Sequence, residues 1–130
     1  MKNGRYILAT ALLIALLGAQ LAAAAGGYEA RARKPVYDAT ALELTGAGAY
    51  VSEVRRPQLK VTVCLRKKFG HRSYDVRCET ATGSGRKVKG QVSVPGCVAG
   101  VWRTTVVGEA VNRDGEWGNQ TTAVSPRFRC

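Results

Sequence analysis

Four cysteines, Cys64, Cys78, Cys97 and Cys130, restrict what this 130-residue chain can fold into more than any other feature does. An even number of cysteines in a short chain reads as two disulfides. A metal site is poorly served, because no C-x-x-C occurs and His71 is the single histidine, so that zinc would need all four sulfurs. Of the possible pairings, the spacing favours Cys64 with Cys78 and Cys97 with Cys130. The first pair is equidistant from His71 in FGHRS and the second from the Arg113-Asp114 step in NRDG, so each is expected to face across its own hairpin. The closed loops, 15 and 34 residues with both ends counted (64–78 and 97–130), would contribute about 3 and about 3.8 kcal/mol in the chain-entropy model.

Disulfides need an oxidising compartment, and the start of the chain is consistent with one. Lys2 and Arg5 precede the apolar run Tyr6 to Gly18, which leads into AQLAAAAGG, the order of a secretory signal peptide with an A-x-A exit at Ala23 and Ala25. Residues 1–25 are therefore expected to be removed and the protein to be secreted and extracellular. A retained spanning helix is the alternative, since the run is just long enough, and no later stretch would cross a membrane. The remaining residues, 26–130, suffice for one domain. Removing Lys2 and Arg5 from 20 basic residues leaves 18 against 9 acidic ones, a net charge of +9 that favours anionic partners.

Residues 26–57 read as an N-terminal arm with a first strand or two. GGYEARARKP resembles a mobile basic arm, whereas ATALELT and AYVSEV are each long enough for one strand. From Pro57 the pattern becomes a string of short alternating runs. QLKVTVCLRK has Leu59, Val61, Val63 and Leu65 on one face; YDVRCETAT, KVKGQVSV, VWRTTVVGEAVN and QTTAVSPRFRC follow, with breaks at FGHRS, GSGR and NRDGEWGN. The expected fold is all-β, a small antiparallel immunoglobulin-like β-sandwich over residues 58–130 held by two disulfides, with a small barrel as the alternative. One conflict stands in the first pair. Cys64 shares a face with Lys60, Thr62 and Arg66, and Cys78 with Tyr74, Val76 and Thr80, so either a bulge in 66–73 shifts the register or polar stems cover a semi-exposed face.

No arrangement in the sequence supports catalysis, and no cofactor or metal is expected. His71, Ser73 and Asp75 alternate just after a turn, which does not place a histidine between the other two. Asp114 and Glu116 flank Gly115 in what reads as a turn rather than a carboxylate pair or cation loop. Asn119-Gln120-Thr121 formally matches a glycosylation acceptor. The basic clusters mark candidate anion contacts: Arg66, Lys67, Lys68 and Arg72, then Arg86, Lys87 and Lys89; Arg127 with Arg129 is a further basic group. With Phe69 as the aromatic beside the RKK cluster, and given export, nucleic acid is less favoured than cell-envelope polymers. Arg31, Arg33, Lys34, Val36 and Tyr37 of the arm, together with Trp117, are the candidate contacts to a partner protein, which the arm would engage by adding a strand to its sheet.

Cys97, Gly100, Trp102 and Arg103, followed by the terminal Cys130, form a Cys-x-x-Gly-x-Trp-Arg motif that resembles a diffuse group of small secreted actinobacterial four-cysteine β-sandwich proteins. In size, export and arm, the chain is also similar to the small linker subunit of Streptomyces umbrella toxin particles. That resemblance implies a non-catalytic adaptor joining other components of an extracellular assembly. The alternative is a free cationic protein that binds anionic cell-envelope polymers. In VPGCVAGVWRTT itself, the expectation is structural: Cys97 as a staple, Trp102 as a core anchor and Arg103 on the opposite face.

Overall fold

Apolar and polar residues alternate over longer stretches than the turn residues suggest. In the computed structural model, which describes residues 27–130, the second and third strands run through their glycine and proline breaks. Residues 1–25, expected to be a signal peptide, lie outside the described residues. The strands are β1 (Tyr28–Asp38), β2 (Glu43–Phe69), β3 (Arg72–Pro95), β4 (Val101–Val111), β5 (Trp117–Val124) and β6 (Phe128–Arg129). They form one six-stranded antiparallel sheet in the order β1-β2-β4-β5, with β3 on the other edge of β2 and β6 paired to β4.

The length of β2 determines the architecture. Its first half, Glu43–Ser52, pairs with β1; its second half, Leu59–Lys68, pairs with β4; β3 follows it along both halves. Between the halves lies EVRRPQ, where the β2–β3 register shifts twice and Pro57 contributes no ladder donor. The sheet bends there and curls, so that Leu44, Tyr50, Val88, Val92 and Val94 of one half enclose a core with Val61, Val63, Leu65, Trp102, Val106 and Ala110 of the other. The fold is thus all-β with two disulfides, as expected, and has the form of a curled half-barrel. The pairing of two separate immunoglobulin-like sheets is not confirmed. ATALELT, AYVSEV and QLKVTVCLRK do not make independent strands, because the last two and the ELT end of the first are continuous in β2; likewise GSGR is a bend within β3 rather than a turn between strands.

The segment expected as a free basic arm is β1. Tyr28 and Ala30 are buried, and the strand pairs with Glu43–Ser52 through a bulge between Arg33 and Val36. The reason is the period of two in YEARAR: Tyr28, Ala30 and Ala32 turn inward while Glu29, Arg31 and Arg33 turn outward. The Asp38 carboxylate then accepts hydrogen bonds from the Thr40 and Ala41 amides, at 2.8 and 3.1 Å, which closes the β1–β2 turn.

Close approach of the two halves requires glycine at the crossing. A Cβ added to Gly108 would overlap the Tyr50 ring, and one added to Gly48 would overlap the Val106 side chain. Tyr50 stacks on Tyr28 with ring centroids 5.6 Å apart, and its hydroxyl donates to the Asn119 carbonyl at 2.5 Å. Burial, reinforced by the negative charge that Tyr28 and Glu109 would present, raises the Tyr50 hydroxyl pKa well above the ordinary tyrosine range. The unfolded chain ionises this group near pH 10 and the folded chain does not, so stability falls as pH climbs from about 10. Tyr50→Phe should flatten that alkaline slope in a denaturant titration repeated across pH.

Both expected disulfides form. Cys64 and Cys78 face each other across β2 and β3 with Cα atoms 4.1 Å apart. The register conflict is resolved by a bulge, but on β3: Leu65 pairs with Arg77 and Arg66 with Asp75, leaving Val76 without an opposite residue. Cys78 thereby shares the outer face of Cys64 with Asp75 and Ser73, instead of with Tyr74 and Val76. The second bridge closes the open end of the hairpin that turns at NRDG: Cys97 lies in the β3–β4 loop just before β4 and Cys130 just beyond β6, which continues the return arm along β4, with Cα atoms 5.4 Å apart. Reciprocal backbone hydrogen bonds between Gly100 and Cys130, at 3.3 and 3.0 Å, hold the same corner. Trp102 is the anchor expected of it, 1% exposed, with its indole N–H donating to the Val98 carbonyl at 2.8 Å.

Candidate anion-binding grooves

The outer face of the second half of the sheet carries an unusual density of positive charge. Arg66 on β2 is directly opposite Arg103 on β4, and one row along, Lys68 is opposite Val101, whose other neighbour is Arg129 on β6. With Arg127, these residues rim a groove of about 670 Å³ whose floor includes Val101, Thr105 and Val124. Five cations therefore surround one depression, and the carboxylate against them is Asp75, 3.8 Å from Arg66. Directly opposed like charges oppose strand pairing. The corner is nevertheless well built: the Thr104 amide donates to the Ser125 hydroxyl at 2.8 Å, the Ser125 amide donates to the Thr104 carbonyl at 2.9 Å, and Cys130 anchors the end of β6.

A second basic groove lies on the outer face of the first half. Arg31 on β1, Ala49 on β2 and Lys89 on β3 form one cross-strand row, and Arg33, Ala47 and Gln91 the next. The small alanines leave a floor between two raised rims, Arg31 and Arg33 on one side and Lys87 and Lys89 on the other, enclosing about 490 Å³. Glu29 pairs with Arg31 at 3.2 Å and offsets part of this charge.

The structure divides the sequence candidates differently from their order along the chain. Arg66 and Lys68 meet in the first groove; Arg31, Arg33, Lys87 and Lys89 meet in the second. Lys67 turns inward and is buried, its ammonium 5.9 Å from the Trp102 ring centroid, so it does not belong with the other anion-binding candidates. Arg72 stands exposed beside the β2–β3 turn, and Arg86 is exposed at the bend in β3. Lys34 sits at the β1 bulge, Val36 is exposed on the outer face, and Tyr37 packs partly against the core. Trp117 is half exposed beneath the Lys60 ammonium, 4.5 Å from its ring centroid, and Lys60 also reaches Glu109 at 3.6 Å. Arg103, Arg127 and Arg129 were absent from the anion-binding candidates. Spacing is a signal for Arg127 and Arg129 but not for Arg103: Arg66 and Lys68, Arg127 and Arg129, Arg31 and Arg33, and Lys87 and Lys89 each stand two apart, which puts both members on one face of a strand.

The remaining motifs assemble no chemistry. Asp75 faces Arg66, while His71 is exposed in the turn, so the alternate His71, Ser73 and Asp75 do not form a relay. Cys64, Asp75 and Cys78 lie close together, but both sulfurs are spent in the disulfide. Asn119 is engaged through its side-chain amide, which donates to Asn112 at 2.8 Å and to the Tyr28 hydroxyl at 3.3 Å. No helix among the described residues is long and apolar enough to cross a membrane. The site and fold together define a disulfide-linked cationic half-barrel. No protein-family model matches the chain, and no curated protein similar to it was found.

Proposed function

We propose that the protein acts without catalysis, outside the cell, by binding anionic cell-envelope polymers, with the Arg66–Arg103 groove as the principal contact. The observation that carries this reading is the opposition of Arg66 and Arg103 within a ring of five cations against one carboxylate. The unliganded sheet is destabilised by that repulsion, and a polyanion laid along the groove relieves it. Poly(glycerol phosphate) is a suitable probe. Each cation removed from such a surface costs about 1 kcal/mol, or roughly fivefold in affinity. Arg103→Gln with Arg129→Gln should therefore weaken binding at this groove by roughly 25-fold, while the single change Arg103→Gln raises folding stability by up to about 1 kcal/mol. Raising salt to about 0.5 M, where the screening length is about 4 Å, should release the polymer. Undiminished affinity in the double variant would overturn the assignment.

A second reading, an adaptor within a secreted assembly such as the toxin-particle linker the sequence resembles, draws support from the edges of the sheet. Both β1 and β3 pair with β2 alone, leaving their outer edges open to another protein's strand. Since the basic segment is itself paired, this protein would accept a strand rather than donate one. Retention of a protein partner in about 0.5 M salt, where charge attraction is screened, distinguishes the two readings.

A further inference from the structure

The two basic grooves stand back to back across the core. Thr105, on the floor of the first, points outward from β4, and its neighbour Val106 points inward. Val106 lies against Gly48 of β2, and Ala47 and Ala49 on either side of Gly48 form the floor of the second groove. One line through the molecule therefore runs from one basic floor, through a valine and a glycine in contact, to the other floor. The first groove carries an excess of four positive charges (five cations less Asp75) and the second an excess of three (four cations less Glu29).

We infer that the protein is bivalent: each monomer binds two separate polyanion chains, one on each face, and so cross-links a phosphate-bearing polymer. This rests on the polymer-binding reading above and adds the number and placement of sites. The geometry favours two chains over one, because the floors face away from each other and a single strand of polymer would have to wrap round a sheet edge to occupy both. It also separates this protein from a cation that merely coats a surface, since the two grooves are built on different halves of the sheet, the second half of β2 with the start of β3, β4, β5 and β6 for one and the first half of β2 with β1 and the rest of β3 for the other.

The experiment uses a short fluorescent glycerol phosphate oligomer to count sites and long poly(glycerol phosphate) to read cross-linking by light scattering. Wild-type protein should bind two oligomers and raise the scattering of the long polymer, with a maximum at intermediate protein concentration, as sites and chains match. Arg103→Gln with Arg129→Gln should close the first groove, and Arg33→Gln with Lys89→Gln the second. All four positions lie on the outer face, so thermal melts verify that each variant is folded. Each variant should bind one oligomer and leave the scattering at that of polymer alone; a mixture of the two should not restore it. A wild-type stoichiometry of one oligomer, or full cross-linking by either variant, overturns bivalency while leaving polymer binding intact. Failure of the wild type to bind the oligomer at all overturns the underlying reading instead.

Discussion

Gly108→Ala should lower folding stability by about 3 kcal/mol, measured as a reduced denaturant midpoint, because the added methyl occupies space filled by the Tyr50 ring. Nothing nearby gives way easily. Tyr50 is fully buried, held by the stacked Tyr28 on one side and by its hydrogen bond to the Asn119 carbonyl at its tip. Gly108 itself pairs with Val61 on one side and Thr121 on the other, so its backbone is fixed from both edges. The explanation makes a sharper demand than loss of stability alone. Tyr50→Leu removes the ring and carries its own cost, but it should absorb much of the Gly108→Ala penalty, so the double variant should lose at least 1 kcal/mol less than the sum of the single ones. Strict additivity would mean that Gly108 matters for some reason other than this contact.

Replacing Cys97 and Cys130 together by serine should cost about 3.8 kcal/mol in the chain-entropy model, since the bridge joins residues 33 apart. The effect extends to the first groove. β6 has two residues, Phe128 and Arg129, and beside its ladder with Val101 and Trp102 and the packing of Phe128 against the core it is held by the Gly100–Cys130 hydrogen bonds and this disulfide. Release of Cys130 frees Arg129 and, two residues before it, Arg127. The variant should therefore bind poly(glycerol phosphate) more weakly even where a melting curve shows it still folded. Cys64→Ser with Cys78→Ser removes a bridge across residues 14 apart and should cost about 3 kcal/mol with little change in affinity. Equal loss of affinity in both variants would argue that the groove responds to global stability and not to the placement of β6.

The disulfide pairing and the role of Trp102 were legible in the sequence because each depends on local pattern: cysteines spaced evenly about a turn, and a large aromatic beside a staple. The β class was legible for the same reason. The curl was not, since RRP and GSGR look like breaks between strands, and only the pairing of β2 with β3 on both sides of them makes them bends within strands. The first strand was hidden by its inward residues. Ala30 and Ala32 add little apolar signal, so the outward Arg31 and Arg33 dominate the reading and suggest a tail. The grooves depend on pairs such as Arg66 with Arg103 and Arg31 with Lys89, which are remote along the chain and meet through strand order. Periodicity within one segment gives the face of each cation but not its neighbour across the sheet.

The continuous β2–β3 hairpin also implies an order of assembly. Its turn lies between Phe69 and Arg72, and the ladder can close outward from there one pair at a time, each new contact enclosing only slightly more chain than the last. Cys64 and Cys78 come together early in that zippering, before the bend at Pro57 is reached. Cys97 and Cys130 meet only when β4 has docked on β2 and the chain has returned through β5 to β6. During oxidative refolding, the species with the first bridge alone should precede the fully bridged protein. The corner holding Arg127 and Arg129 is then the last part of the molecule to be fixed.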